Sequence, residues 1–333
     1  MPVRPINFYK PKVSDGDLAG MIKTKSAGDF FAARFAGTRG CCQGPTGWSE
    51  YSARLKVPVG ILTSEVMEAI ARIAREYGRS EVYLTSRLGM EIPGVPEESL
   101  LALQEELAKV GVVLARCGPH MRSVVACKGT VCVHGNIDTF RMAWEIDQRY
   151  NDGTVLPHKF KVGIAGCASN CSKPQLNDVG LVGVREPHLN VDKCDGCGRC
   201  SQVCRLGGIR VEAGIAVLDR EHCVDCGDCA RACLPSAIIS TRTGVDLYAG
   251  GRWDRRKQIG IRIARFLTEA DAIDTVGRIK EWYRKSGQEG ERLGGVMLRE
   301  GVRAFQEYIL QVIKQKNWSE ITREAEVAFQ VTR

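Results

Sequence analysis

No run of about 18 consecutive apolar residues occurs anywhere in this chain of 333 residues, so nothing in it reads as a membrane-spanning helix. The N-terminal stretch MPVRPINFYKPKV has no apolar core segment of the kind a secretory signal needs, which gives the expectation of a cytoplasmic protein. Low-complexity tracts are missing too. No convincing GxGxxG element is present, so a resident dinucleotide is not expected. With 44% hydrophobic and 26% charged residues, the composition is that of an ordinary soluble protein, long enough for two or three domains.

What the chain does have is cysteine, fifteen in all. Disulfide scaffolds are normally short and exported, and this chain is neither, so its thiols point to metal ligation. Twelve of the fifteen fall into grouped spacings, leaving Cys41, Cys42 and Cys117 over. Cys117 ends an apolar run and reads as a core thiol. Cys41 and Cys42 lie in a glycine-rich segment, and adjacent cysteines rarely pair because the ring is strained.

From residue 51 the pattern sharpens. SARLKVPV alternates like a strand, and SEVMEAIARIAREYG places Val66, Ile70, Ile73 and Tyr77 on one helical face, with Ser64 as N-cap and Gly78 as terminator. EVYLTS and MEIPGV read as strands, EESLLALQEELAKVG as a helix and VVLARC as a strand. That β-α-β-β-α-β order is a ferredoxin-like α+β unit. RSVVAC, KVGIAGC and DVGLVGV are strand-like runs around two cysteine pairs. Two amphipathic helices follow beyond residue 245, the first bracketed by Thr268 and Gly287. The resulting division is an extension over 1–50, a half-domain over 51–120, a cysteine-bearing domain over 121–189, an insert over 190–242 and a continuation over 243–333.

Inside the insert, Cys194, Cys197, Cys200 and Cys204 keep a C-x2-C-x2-C-x3-C rhythm, and Cys223, Cys226, Cys229 and Cys233 repeat it. Three thiolates so close in sequence wrap one face of a 4Fe–4S cubane, and the fourth comes from the other repeat. Cys194, Cys197, Cys200 and Cys233 would hold one cluster; Cys223, Cys226, Cys229 and Cys204 the other. Zinc takes two CxxC pairs per ion and leaves the third cysteine without a use. A proline usual after the fourth cysteine is Arg205 in the first repeat and is displaced to Pro235 in the second.

The remaining four, Cys127, Cys132, Cys167 and Cys171, suit a third 4Fe–4S cluster assembled by a rigid fold. The stretch GCASNCSKPQLNDVGLVG, with Asp178-Val179-Gly180-Leu181 at its end, resembles the signature of the sirohaem-dependent nitrite and sulfite reductases. The resemblance implies that Cys171 both ligates the cluster and bridges to the haem iron. CKGTVC has four residues between its cysteines where assimilatory members have five. YLTSRLGMEIPG resembles the family strand that delivers an arginine, here Arg87. RSVVAC resembles an Arg-Asn-Val stretch, giving Arg122, and LPHKFKVGIAG a lysine-x-lysine strand, giving Lys159 and Lys161. A ring with eight carboxylates and a small oxyanion substrate both need cations. LYAGGRWDRRKQIG and GERLGGVMLREGVRAF continue the likeness after the insert, which makes the ferredoxin module an insertion rather than an appendage.

The resemblance implies a sulfite reductase catalytic subunit, reducing sulfite to sulfide by six electrons. Its cofactors would be sirohaem and three 4Fe–4S clusters, with electrons entering through the two ferredoxin-type ones. Flavin and further iron–sulfur clusters would sit on donor subunits, or a soluble ferredoxin would serve, in an oligomer. The formal charge of +8 does not indicate nucleic acid, because twelve thiolates on three clusters would remove about six charges net. Nitrite would use the same pocket, and a non-catalytic electron-transfer subunit is the other alternative. His134 or His158 is placed to relay protons; these two and His120 otherwise read as structural.

Overall fold

The computed structural model describes residues 50–311, as two compact units that divide between Gly118 and Pro119. Cys41 and Cys42 lie outside the described residues. So does the end of the last expected helix, beyond residue 311.

In the first unit, strands β1 (Glu50–Lys56), β2 (Tyr83–Leu84), β3 (Met90–Pro96) and β4 (Val113–Leu114) form one antiparallel sheet in the order β2-β3-β1-β4. Helices α1 (Ser64–Tyr77) and α2 (Leu100–Lys109) supply the two α elements of the expected β-α-β-β-α-β unit. The cap of α1 is Thr63, not Ser64: its hydroxyl accepts the Val66 N–H at 3.3 Å while its backbone stays extended. The helix ends at Gly78, as expected. Ala53 and Leu55 of β1 and Ile92 and Val95 of β3 are fully buried against Ile70, Ile73, Leu103 and Leu107. Ile92 and Val95 are three apart yet share a face, because β3 carries one extra residue opposite β1, a bulge at Pro93-Gly94. Cys117 is buried, as a core thiol should be, and accepts a contact from Arg54 Nη1 at 3.3 Å.

The second unit is built on a five-stranded sheet of β5 (Val125–Ala126), β6 (Val162–Ala165), β7 (Val179–Leu189), β10 (Ile238–Ala249) and β13 (Ile261–Leu267), arranged in the order β13-β10-β7-β6-β5. Its β5-β6-β7 portion is parallel and buried on both faces, so those strands read as continuous apolar runs rather than alternations. Helix α3 (Thr139–Tyr150) starts at Asp138, whose carboxylate accepts the Arg141 N–H. Helix α6 (Glu269–Ser286) runs between Thr268 and Gly287, the expected bracket. The stretch GERLGGVMLREGVRAF holds α7 (Leu293–Glu300) and the start of α8 (Val302–Leu310), broken at Gly301, whose φ of +96° a side chain would strain.

Strand β7 leads into residues 190–237, and β10 returns from them. The two pair from Leu189↔Ile238 to Val179↔Ala249, and the Asn190 N–H donates to the Ala237 carbonyl across the base. Between them stand two five-residue helices, α4 (Arg199–Val203) and α5 (Asp228–Ala232), and the hairpin β8 (Ile209–Glu212)–β9 (Ile215–Leu218). Each helix opens on a glycine at φ +76°, Gly198 and Gly227, so the sequence repeat is also a backbone repeat. A short hairpin, β11 (Arg252–Trp253) and β12 (Lys257–Gln258), follows β10. No helix among the described residues is long and apolar enough to cross a membrane.

One buried ion pair fastens the C-terminal helices to the sheet. Arg292, at the N-terminus of α7, holds both carboxylate oxygens of Asp178 through Nη2 at 2.9 and 2.8 Å and adds Nε at 3.1 Å. Both side chains are almost wholly inaccessible. Removing one partner of such a pair leaves an uncompensated buried charge and costs roughly 3–5 kcal/mol. Arg292→Met should therefore lower the thermal midpoint far more than Arg299→Met, which breaks a solvent-exposed pair with Glu291; equal effects in a thermal melt would disprove this anchoring role.

Candidate active site

Two parallel strands deliver the first pair of site cysteines side by side. Val125↔Gly163 and Ala126↔Ile164 are in register, so Cys127 and Cys167 leave the same end of the sheet. The Cys127 N–H donates to the Ile164 carbonyl at 3.0 Å, and the Gly166 N–H donates to Cys127 Sγ at 3.1 Å. Thr139 Oγ1, at the start of α3, holds the Cys127 carbonyl at 2.7 Å. The two loops touch through their glycines: a Cβ on Gly166 would stand 2.7 Å from the Gly129 Cα. Cys132 follows the single turn Gly129–Val131. Cys171 ends a tight turn in which the Asn170 N–H meets the Cys167 carbonyl, and its side chain is exposed. Burial pushes the Cys127 thiol up, and the neighbouring Cys171 and Cys167 push it further.

Residues 190–237 gather two more sets, each drawn from both repeats. Cys194, Cys197, Cys200 and Cys233 line one cavity. Cys204, Cys223, Cys226 and Cys229 line another of about 340 Å³. Burial raises Cys229 to about 12, with Cys226, Cys223 and Cys204 all contributing. Backbone N–H groups aim at the first set, Ala216 to Cys194 Sγ at 3.4 Å and Ile238 to Cys233 Sγ at 3.2 Å. Among the described residues, no three Cys, His, Asp or Glu side chains converge on a single-ion site. Burial raises Cys127, Cys200, Cys223, Cys226 and Cys229, thiols that resist ionisation until a polycationic core arrives, which fits iron–sulfur donor sets.

The cations gather at the opposite end of the same strands. Arg122 precedes β5, and its N–H donates to the Phe160 carbonyl at 2.8 Å. Phe160, bridged to Met121, is fully buried, and Lys159 and Lys161 flank it half-buried, just before β6 rather than on the expected lysine-x-lysine strand. Lys159 is held below its usual range by burial and then by Arg292 and Arg122. His158 is lowered too, by burial and then by Arg292, Lys159 and Arg122. These four cations and His158 form one positive wall, with Asp254 and Asp178 as counter-charges; the Lys161 N–H donates to Asp178 Oδ2 at 2.9 Å. Arg87 lies in the first unit, in the turn between β2 and β3 rather than on a strand, where Thr85 Oγ1 accepts its N–H at 3.4 Å.

Arg292 escaped sequence reasoning, since its partner Asp178 is 114 residues away. Of the histidines, His134 Nδ1 meets Asp228 Oδ1 at 3.1 Å and His120 Nδ1 the Thr154 carbonyl at 3.2 Å.

This arrangement of cysteine loops has relatives. Residues 117–317 match the nitrite and sulphite reductase 4Fe-4S domain, and residues 46–110 the nitrite/sulfite reductase ferredoxin-like half domain. The chain belongs to the nitrite and sulfite reductase family. It is 31% identical over 266 residues to the coenzyme F420-dependent sulfite reductase of Methanocaldococcus jannaschii, covering 78% of this chain and 42% of that one. Against one of the subunits of the anaerobic sulfite reductase of Salmonella typhimurium it is 28% identical over 181 residues, covering 49% of this chain and 53% of the relative. The chain thus spans about half the length of these two relatives. The crystal structure of dissimilatory sulfite reductase I shares its fold, with a TM-score of 0.66 at 21% identity, over 82% of this chain and 73% of that one.

Two expectations follow from this geometry. Gly166→Ala should force the two cysteine loops apart, so that the protein binds less iron per chain than the unaltered one. The lowered His158 means that the unfolded chain binds its proton more readily. Its contribution to stability is full above the usual 6.5 and is lost as pH falls through 6.5 toward the depressed folded value. His158→Gln should flatten that limb of a melting-temperature profile between about pH 7 and 5.

Proposed function

We propose that this chain is the catalytic subunit of a sulfite reductase, reducing sulfite to sulfide by six electrons at a sirohaem bridged to a 4Fe–4S cluster. The observation that carries the reading is the thiol group at the ends of β5 and β6, with Cys127 and Cys167 delivered together and Cys171 turned outward. In this reading Cys127, Cys132, Cys167 and Cys171 would hold the cluster, and Cys171 would also hold the haem. The crossed sets of residues 190–237 hold two ferredoxin-type clusters, forming an inserted electron-entry domain. Donor subunits carrying flavin and iron–sulfur clusters, or a soluble ferredoxin, would feed it within an oligomer. When bound, the sirohaem and its cluster supply the redox chemistry.

The chain's own residues do electrostatic work. Arg122, Lys159 and Lys161 would hold the oxygens of the substrate and the carboxylates of the ring and would stabilise negative charge as it accumulates; Arg87 is the first unit's candidate for the same task. Lys159 suits this task because burial has already stripped much of its hydration. His158 Nδ1 accepts the Lys159 N–H at 2.8 Å, so the neutral ring carries its hydrogen on Nε2, where it would donate a hydrogen bond to a bound oxyanion.

Cys171→Ser should alter both the haem absorption and the iron content of the third cluster. Cys197→Ser should spare the haem spectrum and slow turnover only with the physiological donor. A haem spectrum unchanged by Cys171→Ser would end the bridging assignment. Anaerobically purified, iron-reconstituted protein with full iron and no isobacteriochlorin bands would end the reductase reading itself. Turnover with reduced methyl viologen should be faster on sulfite than on nitrite, and the reverse would reassign the substrate.

A further inference from the structure

In the unit that begins at Pro119, one asparagine joins the third group of cysteines to one of the two sets in the insert. Asn136 Nδ2 donates to the Cys226 carbonyl at 3.2 Å and to the Gly183 carbonyl at 3.4 Å. The Asn136 backbone N–H donates to the Gly166 carbonyl at 2.8 Å, one residue before Cys167. Gly166 in turn donates to Cys127 Sγ. Asn136 is held in this orientation by Arg231, which binds its Oδ1 and the His134 carbonyl through Nη2, and the Cys226 carbonyl and Asp228 Oδ1 through Nη1.

The cavities repeat this asymmetry. The one ringed by Cys204, Cys223, Cys226 and Cys229 is also lined by His134, Ala168 and Ser169, so it abuts the loop that carries Cys167. The cavity of Cys194, Cys197, Cys200 and Cys233 is lined only by residues between 194 and 238, and Cys197 is exposed.

Resting on the function proposed above, we infer that electrons leave the insert from the cubane on Cys204, Cys223, Cys226 and Cys229 and cross at Asn136. The cubane on Cys194, Cys197, Cys200 and Cys233 is then the entry point. Each crossing moves one electron: the exit cubane is oxidised by one, and the cubane on Cys127, Cys132, Cys167 and Cys171 is reduced by one. The exit cubane regains its electron from the entry cubane, and the entry cubane from a low-potential one-electron donor such as reduced ferredoxin. No bond breaks and no proton moves in the step. Asn136 replaces a gap with a hydrogen-bonded bridge, and Arg231 is its positioning residue.

The test uses full-length reconstituted protein reduced by ferredoxin, with freeze-quench electron paramagnetic resonance as readout. Asn136→Ala should leave iron content and reduction of the insert cubanes unchanged. Reduction of the third cubane should slow severalfold, and the magnetic coupling between it and the exit cubane should weaken. Arg231→Gln, which leaves the Asn136 bonds in reach but removes the clamp, should give a smaller slowing of the same kind. Full iron with an unchanged rate and unchanged coupling in Asn136→Ala would overturn the inference alone. Coupling that survives Cys226→Ser but disappears in Cys197→Ser would overturn the choice of exit cubane. Iron short of three cubanes per chain would sink the proposed function, and this step with it.

Discussion

A carboxylate and a guanidinium buried together cost more to desolvate than their attraction returns unless every remaining polar site is filled. Asp178 and Arg292 meet that condition. Asp178 takes three contacts from Arg292 and the Lys161 N–H, and Arg292 spends its remaining arm on Asp254 Oδ2 at 3.2 Å. The pair therefore locks together the entry to β6, the start of β7, the β11–β12 hairpin and the first turn of α7. The strands that present the cysteines and the wall that presents the cations share this anchor. Arg292 also adds its charge to that wall, lowering both Lys159 and His158, so one residue shapes the frame and the field.

The parallel β5–β6 pair sorts the chemistry by strand polarity. Thiols emerge where the strands end, and cations stand where they begin. Loops that leave adjacent parallel strands are neighbours by construction, which is how cysteines 40 residues apart come side by side. The glycine pair Gly129 and Gly166 lets those loops touch backbone to backbone, an approach that any side chain would prevent.

Much of this was legible in the sequence because it is local. The βαββαβ order, the Thr268–Gly287 bracket and the duplicated cysteine rhythm all depend on neighbours within a dozen residues. Errors arose where two adjacent residues competed or where pairing was distant. Thr63 and Ser64 both carry a capping hydroxyl, and only the backbone decides that Thr63 stands outside the helix. EVYLTS and RSVVAC look like strands, yet just two residues of each join a ladder: Arg87 sits in the turn after β2, and Arg122 lies three residues before β5. Arg292 and Asn136 were invisible, because each is an ordinary polar residue until a partner about 90 or more positions away is folded against it.

The ladder between β7 and β10 bears on how fast a redox centre in residues 190–237 can serve the main sheet. Its cross-strand hydrogen bonds run from inside the core to the base of the inserted segment, where Asn190 and Ala237 close it. A carrier that diffuses must find its partner on each visit, and a carrier on a slack linker samples a volume set by linker length. Here the segment is carried on a twisted two-stranded beam continuous with the sheet. In the reading proposed above, delivery from a centre held there would need no search and no salt-dependent encounter, and its rate would be set by a distance fixed when the chain folds.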